Sequence, residues 1–591
     1  MTSDAISPDA PFNWLSLVQS TLTGLESISQ TPNASRERLH TARQTALEAI
    51  DTSLAIVVYT HGLHNSLTPI GRLPAEILAR IFRHVIDIYP MRSPDIGWIK
   101  VTHVCRSFRR AALDNSSLWS TIPFNIGNNW TRNFLDRSKN SSLHVQCWLR
   151  DRSPGEQRFP DVLAETLTSH MGRIRELWIH GPEEAICQLF KSDSVVKNAP
   201  QLERLGVECS SRSRERLIPP TTLFGGHIPR LRHVVLAICP GSLAWLKPAE
   251  NLVSLYLVGP DTPRLSYDAY KRLLDALEHA RGLEFLWMTN CLPLAESKAV
   301  THIGRVLDLC NLKTVHIVDC TSDIIRFLGQ IHLAPSAAVQ LKCLQFRPTH
   351  HLPLLHVMSN LRSTGRPVPT KVIIREAQNS VKLVASDCSS ACSIPSLNDR
   401  RQSNFITLRC HTSDWKDEPL VSSFCSLLQL DQLESLEITW KMEQTVTPQE
   451  WVDIFGCARK LRTLELGGSP AESFCRALSM SVLLPDPKNT PPASSSFSLP
   501  QRNSAHTLFP SLHDLTLREV DFRQTMDGHP LHQLFAHALT VRTASPEICP
   551  PRLLSIELCF VRREWVNFWL FCVPEDQRVW NVDSWSMIEE T

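Results

Sequence analysis

The sequence predicts an α/β protein in which an N-terminal helical region with a compact three-helix module precedes a β/α solenoid built on a parallel sheet. Two patterns carry this expectation. Over residues 73 to 119, LPAEILARIFRHVIDIYPMRSPDIGWIKVTHVCRSFRRAALDNSSLW places more apolar side chains at helical spacing than so small a unit can bury by itself. From Ile174 onward a Leu-x-x-Leu-x-Leu pattern returns at intervals mostly near 28 or 29 residues, the self-similarity of a solenoid.

Two amphipathic stretches open the chain. Residues 13 to 29 place Trp14, Leu15, Val18, Leu22, Leu25 and Ile28 on a broad stripe, and residues 36 to 58 do the same with Leu39, Ala42, Ala46, Ile50 and Leu54. Neither sustains heptads long enough for a coiled coil, so a helical hairpin packed on the chain itself is expected, with self-association as the alternative. In the module, Pro74 suits the first position of a helix and Glu76 its positive end. Ile77, Leu78, Ile81, Phe82 and Val85 then form one stripe. A second helix is expected from near Trp98, with Ile99, Val101, Val104, Cys105, Phe108 and Ala112 inward. Asn115-Ser116-Ser117 breaks and caps the chain before a last apolar anchor, Leu118-Trp119.

These residues resemble the F-box in its fungal form: Leu-Pro-x-Glu-Ile-Leu from Leu73, Val-Cys-Arg from Val104, and Leu118-Trp119. Two departures are a long linker at residues 87 to 97 and Phe108, where many members carry Trp. The resemblance implies a module that docks onto a Skp-family adaptor. The residues it points to are Leu73, Pro74, Glu76, Ile77, Leu78, Ile81, Phe82, Val104, Cys105, Phe108, Leu118 and Trp119.

The repeat is read at Ile174, Leu202, Leu231, Leu252, Leu283, Leu312 and Leu341, then at Phe405, Leu433, Leu461, Leu512 and Leu553. In each unit a short strand turns its last two apolar residues inward, and an outer segment leads on to the next strand. Helices are expected after Ser266 and at the Thr447-Pro448-Gln449-Glu450 capping box, which leads into Trp451, Ile454 and Phe455. Cys239, Cys291 and Cys320 each stand three residues after the last strand position, where leucine-rich repeats carry Asn or Cys. This region therefore resembles a degenerate leucine-rich repeat. Residues 377 to 404 interrupt it with a hairpin (VIIR to VKLVAS) and a polar loop, and the Pro/Ser-rich residues 484 to 507 are expected to be disordered. Trp565 to Val573 reads as a terminal cap. The domains are thus 1–69 helical, 70–125 F-box, 126–483 solenoid, 484–507 insert and 508–591 final repeats and cap.

The chain of 591 residues carries a formal charge of +2, with 61 basic and 59 acidic residues, which gives no electrostatic footprint for nucleic acid or an anionic membrane. Its start lacks a signal-like apolar core, and no apolar run reaches membrane-spanning length, so a soluble cytoplasmic or nuclear protein is expected. The 18 cysteines are scattered without a Cys-x-x-Cys pair; Cys388 and Cys392 come nearest, and reduced, buried thiols are expected. His61 with His64 and the His350-His351 pair lack carboxylate or thiol companions at metal-ligand spacing. Phosphate-loop, dinucleotide, nucleophile-elbow and zinc-helix motifs are absent from the sequence. No catalytic residue, cofactor or metal is therefore expected.

One further constellation concerns recognition. The residue between the last two apolar positions should point onto the exposed sheet face. In order these are Trp178, Gly206, Val235, Tyr256, Trp287, His316 and Gln345, then Glu437, Glu465, Thr516 and Glu557. Early units thus present aromatics, with Phe285 on the same face as Trp287, and late units present acids. Two readings stay open for Trp178, Tyr256, Phe285 and Trp287: anchors for a target protein, or core residues of a misregistered strand. The expected function is the substrate-recognition subunit of a Skp/cullin/F-box ubiquitin ligase, itself non-catalytic. An F-box scaffold without a ligase role is the alternative.

Overall fold

The computed structural model describes residues 14–31, 35–91, 95–124, 126–149, 161–191, 198–209, 223–237, 246, 249–259, 267–293, 306–361, 368–377, 380–387, 404–411, 420–440, 446–480, 508–526, 528–544 and 553–572. It divides into two compact units, Met1–His144 and Val145–Thr591. The insert expected at 484–507, the polar loop after residue 387, Cys239, Ser266, Cys388 and Cys392 lie outside the described residues.

The first unit contains α1 (Trp14–Ser29), α2 (Arg36–Leu67), α3 (Ala75–Ile88), α4 (Arg106–Asp114), β1 (Thr121–Pro123) and α5 (Asn128–Ser138). Helices α1 and α2 pack together as the expected hairpin, but α2 runs nine residues past the expected end and has no buried residue. Along the expected stretch its half-buried positions are Ala42, Ala46, Ala49 and Ser53, with Asn65 further on, while Leu39, Ile50 and Leu54 are exposed, so the stripe expected from the large apolar residues is rotated onto small ones. Pro74 is the N-cap of α3 and not its first residue: extended at ψ 151°, its carbonyl accepts from the amides of Ile77 and Leu78. The single helix expected from Trp98 is two pieces. A 3-10 segment, Gly97–His103, ends at Val104; Cys105, extended at φ −157°, then caps α4 with its sulfur accepting from the Phe108 amide at 3.5 Å.

In the second unit the strands alternate with connecting segments, several of them helical. The early strands are β2 (Leu143–Trp148), which spans the boundary, β3 (Ile174–Gly181), β4 (Arg204–Cys209), β5 (His233–Ala237), β6 (Ser254–Val258) and β7 (Phe285–Thr289). The middle strands are β8 (Leu307–Leu309), β9 (Thr314–Cys320), β10 (Ile331–Leu333), β11 (Ala338–Leu344), β12 (Lys371–Ala377), β13 (Ser380–Ser386) and β14 (Asn404–His411). The late ones are β15 (Ser435–Trp440), β16 (Thr463–Gly468), β17 (Asp514–Arg518), β18 (Thr525–Met526), β19 (His529–Pro530) and β20 (Leu553–Glu557). Helices α6 (Asp161–His170) to α8 lead up to the middle strands, with α7 at Glu183–Lys191 and α8 at Tyr267–His279. They are followed by α9 (Thr321–Leu328), α10 (His351–Asn360), α11 (Leu420–Ser426), α12 (Pro448–Phe455), α13 (Ser469–Met480), α14 (Leu531–Ala544) and α15 (Arg563–Cys572).

The principal sheet runs β3-β4-β5-β6-β7-β9-β11-β14-β13-β12-β15-β16-β17-β20. Its described pairs are parallel except where β13 meets β12 and β14. A repeated turn builds the units. The first leucine of the motif is buried, and its amide donates to the carbonyl three residues back at Leu202, Leu231, Leu252, Leu283, Leu312, Leu433, Leu461 and Leu512. The strand that follows turns alternate apolar residues inward, as with Leu255 and Leu257 or Leu286 and Met288. The capping box at Thr447 forms as expected, and Trp451 and Phe455 of α12 are buried.

Two registers and one strand order differ from the sequence reading. In β11 the partner of Val315 is Val339 and that of Ile317 is Leu341, so Leu341 is the second inward position and not the start of its unit. Gln345 accordingly lies beyond the strand, exposed at φ +52°. In the last unit Thr516 pairs with Ser555, making Leu554 and Ile556 the inward pair and leaving Leu558 exposed. Finally, β14 adds directly to β11, and the β12-β13 hairpin is inserted between β14 and β15, so the hairpin belongs to the sheet instead of interrupting it. Helix α15 buries Val566 and Trp569, while Phe568 and Phe571 are exposed.

Candidate functional site

The module in the first unit is held by rings. Phe82 of α3 meets Phe108 of α4 edge-on with centroids 5.3 Å apart, and Trp98 meets Trp119 at 5.0 Å. Trp119 is fully buried, and its indole N–H donates to the Ala112 carbonyl at 2.8 Å. It also packs against Phe134 of α5 at 4.9 Å, under the Arg137 guanidinium at 4.4 Å. Phe134 and Arg137 lie beyond the stretch singled out in the sequence; Phe134, Leu135 and Ser138 at helical spacing are the signal that α5 completes this core.

This geometry divides the twelve expected adaptor residues. Leu78, Phe82, Phe108, Leu118 and Trp119 are buried inside the module, so their side chains hold it together and do not form its outer surface. Leu73, Ile81 and Cys105 are half-buried, and Pro74, Glu76, Ile77 and Val104 are exposed. Ile77 at 40% and Val104 at 62% exposure leave apolar surface in water with no use inside the module.

On the outward face of the principal sheet, the ladder Trp178, Gly206, Val235, Tyr256, Trp287 and His316 is in register across six strands. The four expected target residues do share this face, and Phe285 stands two residues before Trp287 as expected. None is fully exposed. Trp178 lies over Gly206: a Cβ added there would sit 2.3 Å from the indole, so glycine provides the bed for the ring. Tyr256 stacks on Trp287 with centroids 5.2 Å apart and planes 28° off parallel; Trp287 stacks on His316 at 3.6 Å and 20°. Burial, with Lys342 nearby, pushes the His316 imidazole down to about 4, and burial together with the charge of Glu208 raises the Tyr256 phenol.

The late acids are not an open patch. Glu437 is buried and held by a two-bond fork from Arg375, one bond being Nη2 to Oε2 at 2.8 Å. Arg518 spans Glu465 at 2.5 Å and Glu557 at 2.7 Å. Among the other residues considered, His61 and His64 are exposed on α2, and His350 accepts from the Arg347 amide at 3.2 Å. A buried cluster not anticipated from sequence joins Asp319, Cys320 and Asp323. Its Asp319 carboxylate accepts from the backbone amides of Leu292 and Cys320, and Asp323 pairs with Arg326 at 3.2 Å, roles that anchor the chain entering α9. Burial pushes the Cys147 and Cys425 thiols up to about 12, as expected of thiols acting as small apolar side chains.

Comparison with known families matches residues 70–125 to the family model described as F-box-like. The match covers Phe82, Trp98, Phe108 and Trp119 of the ring-built module and stops before α5, so residues 70–125 are an F-box-like domain, a class of adaptor-binding and typically non-catalytic units. A comparison with curated proteins found no match. Among the described residues, no helix is long and apolar enough to cross a membrane.

Proposed function

We propose that this protein is the substrate-recognition subunit of a Skp/cullin/F-box ubiquitin ligase. Its F-box would bind a Skp-family adaptor, and degenerate leucine-rich repeats in the second unit would hold a target protein, in the cytoplasm or nucleus. Ubiquitin transfer would be accelerated by proximity, with the bond-making residues supplied elsewhere in the complex. The observation that carries the reading is the F-box-like domain with its surplus of outward apolar surface at Ile77 and Val104 beside an already complete core. Exposed apolar anchors next to a rigid core are what a docking module requires.

The test is co-purification with a Skp-family adaptor, followed by ubiquitination of captured proteins with the assembled cullin complex. Ile77→Asp with Val104→Asp should lower adaptor retention by at least about tenfold, because each buries a charge at an apolar contact, while the melting temperature stays close to wild type. Undiminished retention by the folded double variant overturns the docking surface. Retention without any ubiquitin transfer would make the protein an F-box scaffold.

A further inference from the structure

We propose that the outward face of β11, β14 and β13 is a docking surface for an acidic, extended segment of a partner protein. The proposal rests on the target-binding reading above and gives that target a chemistry.

Lys342, Arg409 and Lys382 stand directly opposite one another on these three adjacent strands, on the outward face, and Arg375 of β12 continues the row. Strand neighbours lie about 4.8 Å apart, so three cations are lined up within about 10 Å. Like charges placed opposite one another destabilise a sheet. Elsewhere this face neutralises itself. Glu176 pairs with Arg204, His180 with Glu208, Arg375 with Glu437, and Arg518 with Glu465 and Glu557. For Lys342, Lys382 and Arg409 no carboxylate partner is found among the described residues. The field of these cations is felt nearby: after burial, Arg409 and Lys342 are what hold the His411 imidazole below its usual range. On the same face of β14, Thr407 Oγ1 and His411 Nε2 also find no hydrogen-bond partner among the described residues.

Three cations in a row, with no carboxylate partner among the described residues, suit a ligand that brings its own carboxylates, and charge complementarity of this kind sets both specificity and association rate. A single-stranded nucleic acid would need free ring faces for its bases to stack on. In the aromatic stack next to this row Trp287 lies between Tyr256 and His316, and each of those two has one face taken by Trp287, which leaves little for successive bases to stack on.

The full chain bound to its adaptor should be titrated against fluorescein-labelled hexaglutamate, hexaglutamine and an oligothymidylate, reading fluorescence anisotropy. Hexaglutamate should bind best, and raising salt from about 50 to about 500 mM should remove most of that binding. Lys342→Ser with Lys382→Ser and Arg409→Ser should weaken hexaglutamate at least about tenfold, whereas Arg204→Ser, which alters a cation already paired on this face, should not. The single Arg409→Ser variant serves if the triple variant melts early. Equal binding of hexaglutamine, an unchanged triple variant or tighter binding of oligothymidylate overturns the proposal. Loss of adaptor co-purification with hexaglutamate binding intact would instead remove the ligase reading and leave this surface standing.

Discussion

His316 shows how the sheet face constrains single residues. Its ring is stacked on Trp287 at 3.6 Å, its Nδ1 is buried, and Lys342 adds positive charge. Burial first, and then the charge of Lys342, favour the neutral imidazole and push it down to about 4 in the folded chain, against about 6.5 unfolded. Between those values the unfolded chain binds the extra proton, so stability is lost as pH falls from about 6.5 toward 4 and stays lost below it. His316→Gln should remove a part of the acid sensitivity on the order of 2 kcal/mol, seen by comparing denaturant unfolding of the two proteins at neutral pH and near pH 4. Identical pH profiles would show that His316 does not titrate differently on folding. The aromatic neighbours were legible as residues, since period-2 alternation assigns them to one face; their mutual stacking was not, because ring orientation depends on strands 30 residues away in the chain.

At the scale of elements, caps were the most legible feature. Thr447, Pro448 and Glu450 suffice to place the start of α12, and the structure has both reciprocal bonds, Glu450 amide to Thr447 Oγ1 at 3.2 Å and Thr447 amide to Glu450 Oε2 at 2.7 Å. Thr447→Ala should therefore cost about 1 kcal/mol, measured by chemical denaturation, and Thr447→Ser much less. Registers were less legible. LKCLQF satisfies the Leu-x-x-Leu-x-Leu pattern from Leu341, whereas the overlapping VQLKC shows only plain alternation, and it is pairing with β9 that selects Val339 and Leu341 as the inward residues. The break at Val104-Cys105 was hidden for a similar reason: the apolar spacing from Trp98 to Ala112 continues through it, while the backbone stops and restarts under the Cys105 cap.

At the scale of the whole molecule, the chain divides into two compact units, and each can be probed by a substitution in its own buried residues. Trp119→Ala should cost about 3–5 kcal/mol in the first unit, because it deletes contacts with Trp98, Phe134 and Arg137 together. On the proposed function it should also abolish adaptor retention. Leu255→Ala, at a residue only 2% exposed, should cost about 2–5 kcal/mol in the second unit and leave adaptor retention unchanged. Calorimetry of each variant, paired with the adaptor pull-down, checks both; a loss of retention by Leu255→Ala would mean that the units do not fold independently. By itself the sequence determined the helical module, the repeated strands and the absence of a large net charge, because helix periodicity, strand alternation and charge are properties of neighbouring residues. Which strand adds to which, that β14 joins β11 while a hairpin enters beside β15, and that Lys342, Arg409 and Lys382 meet in one row were decided by the tertiary structure. Those residues are 27 to 67 positions apart, and only burial of the inward face of every strand at once fixes the registers that bring them together.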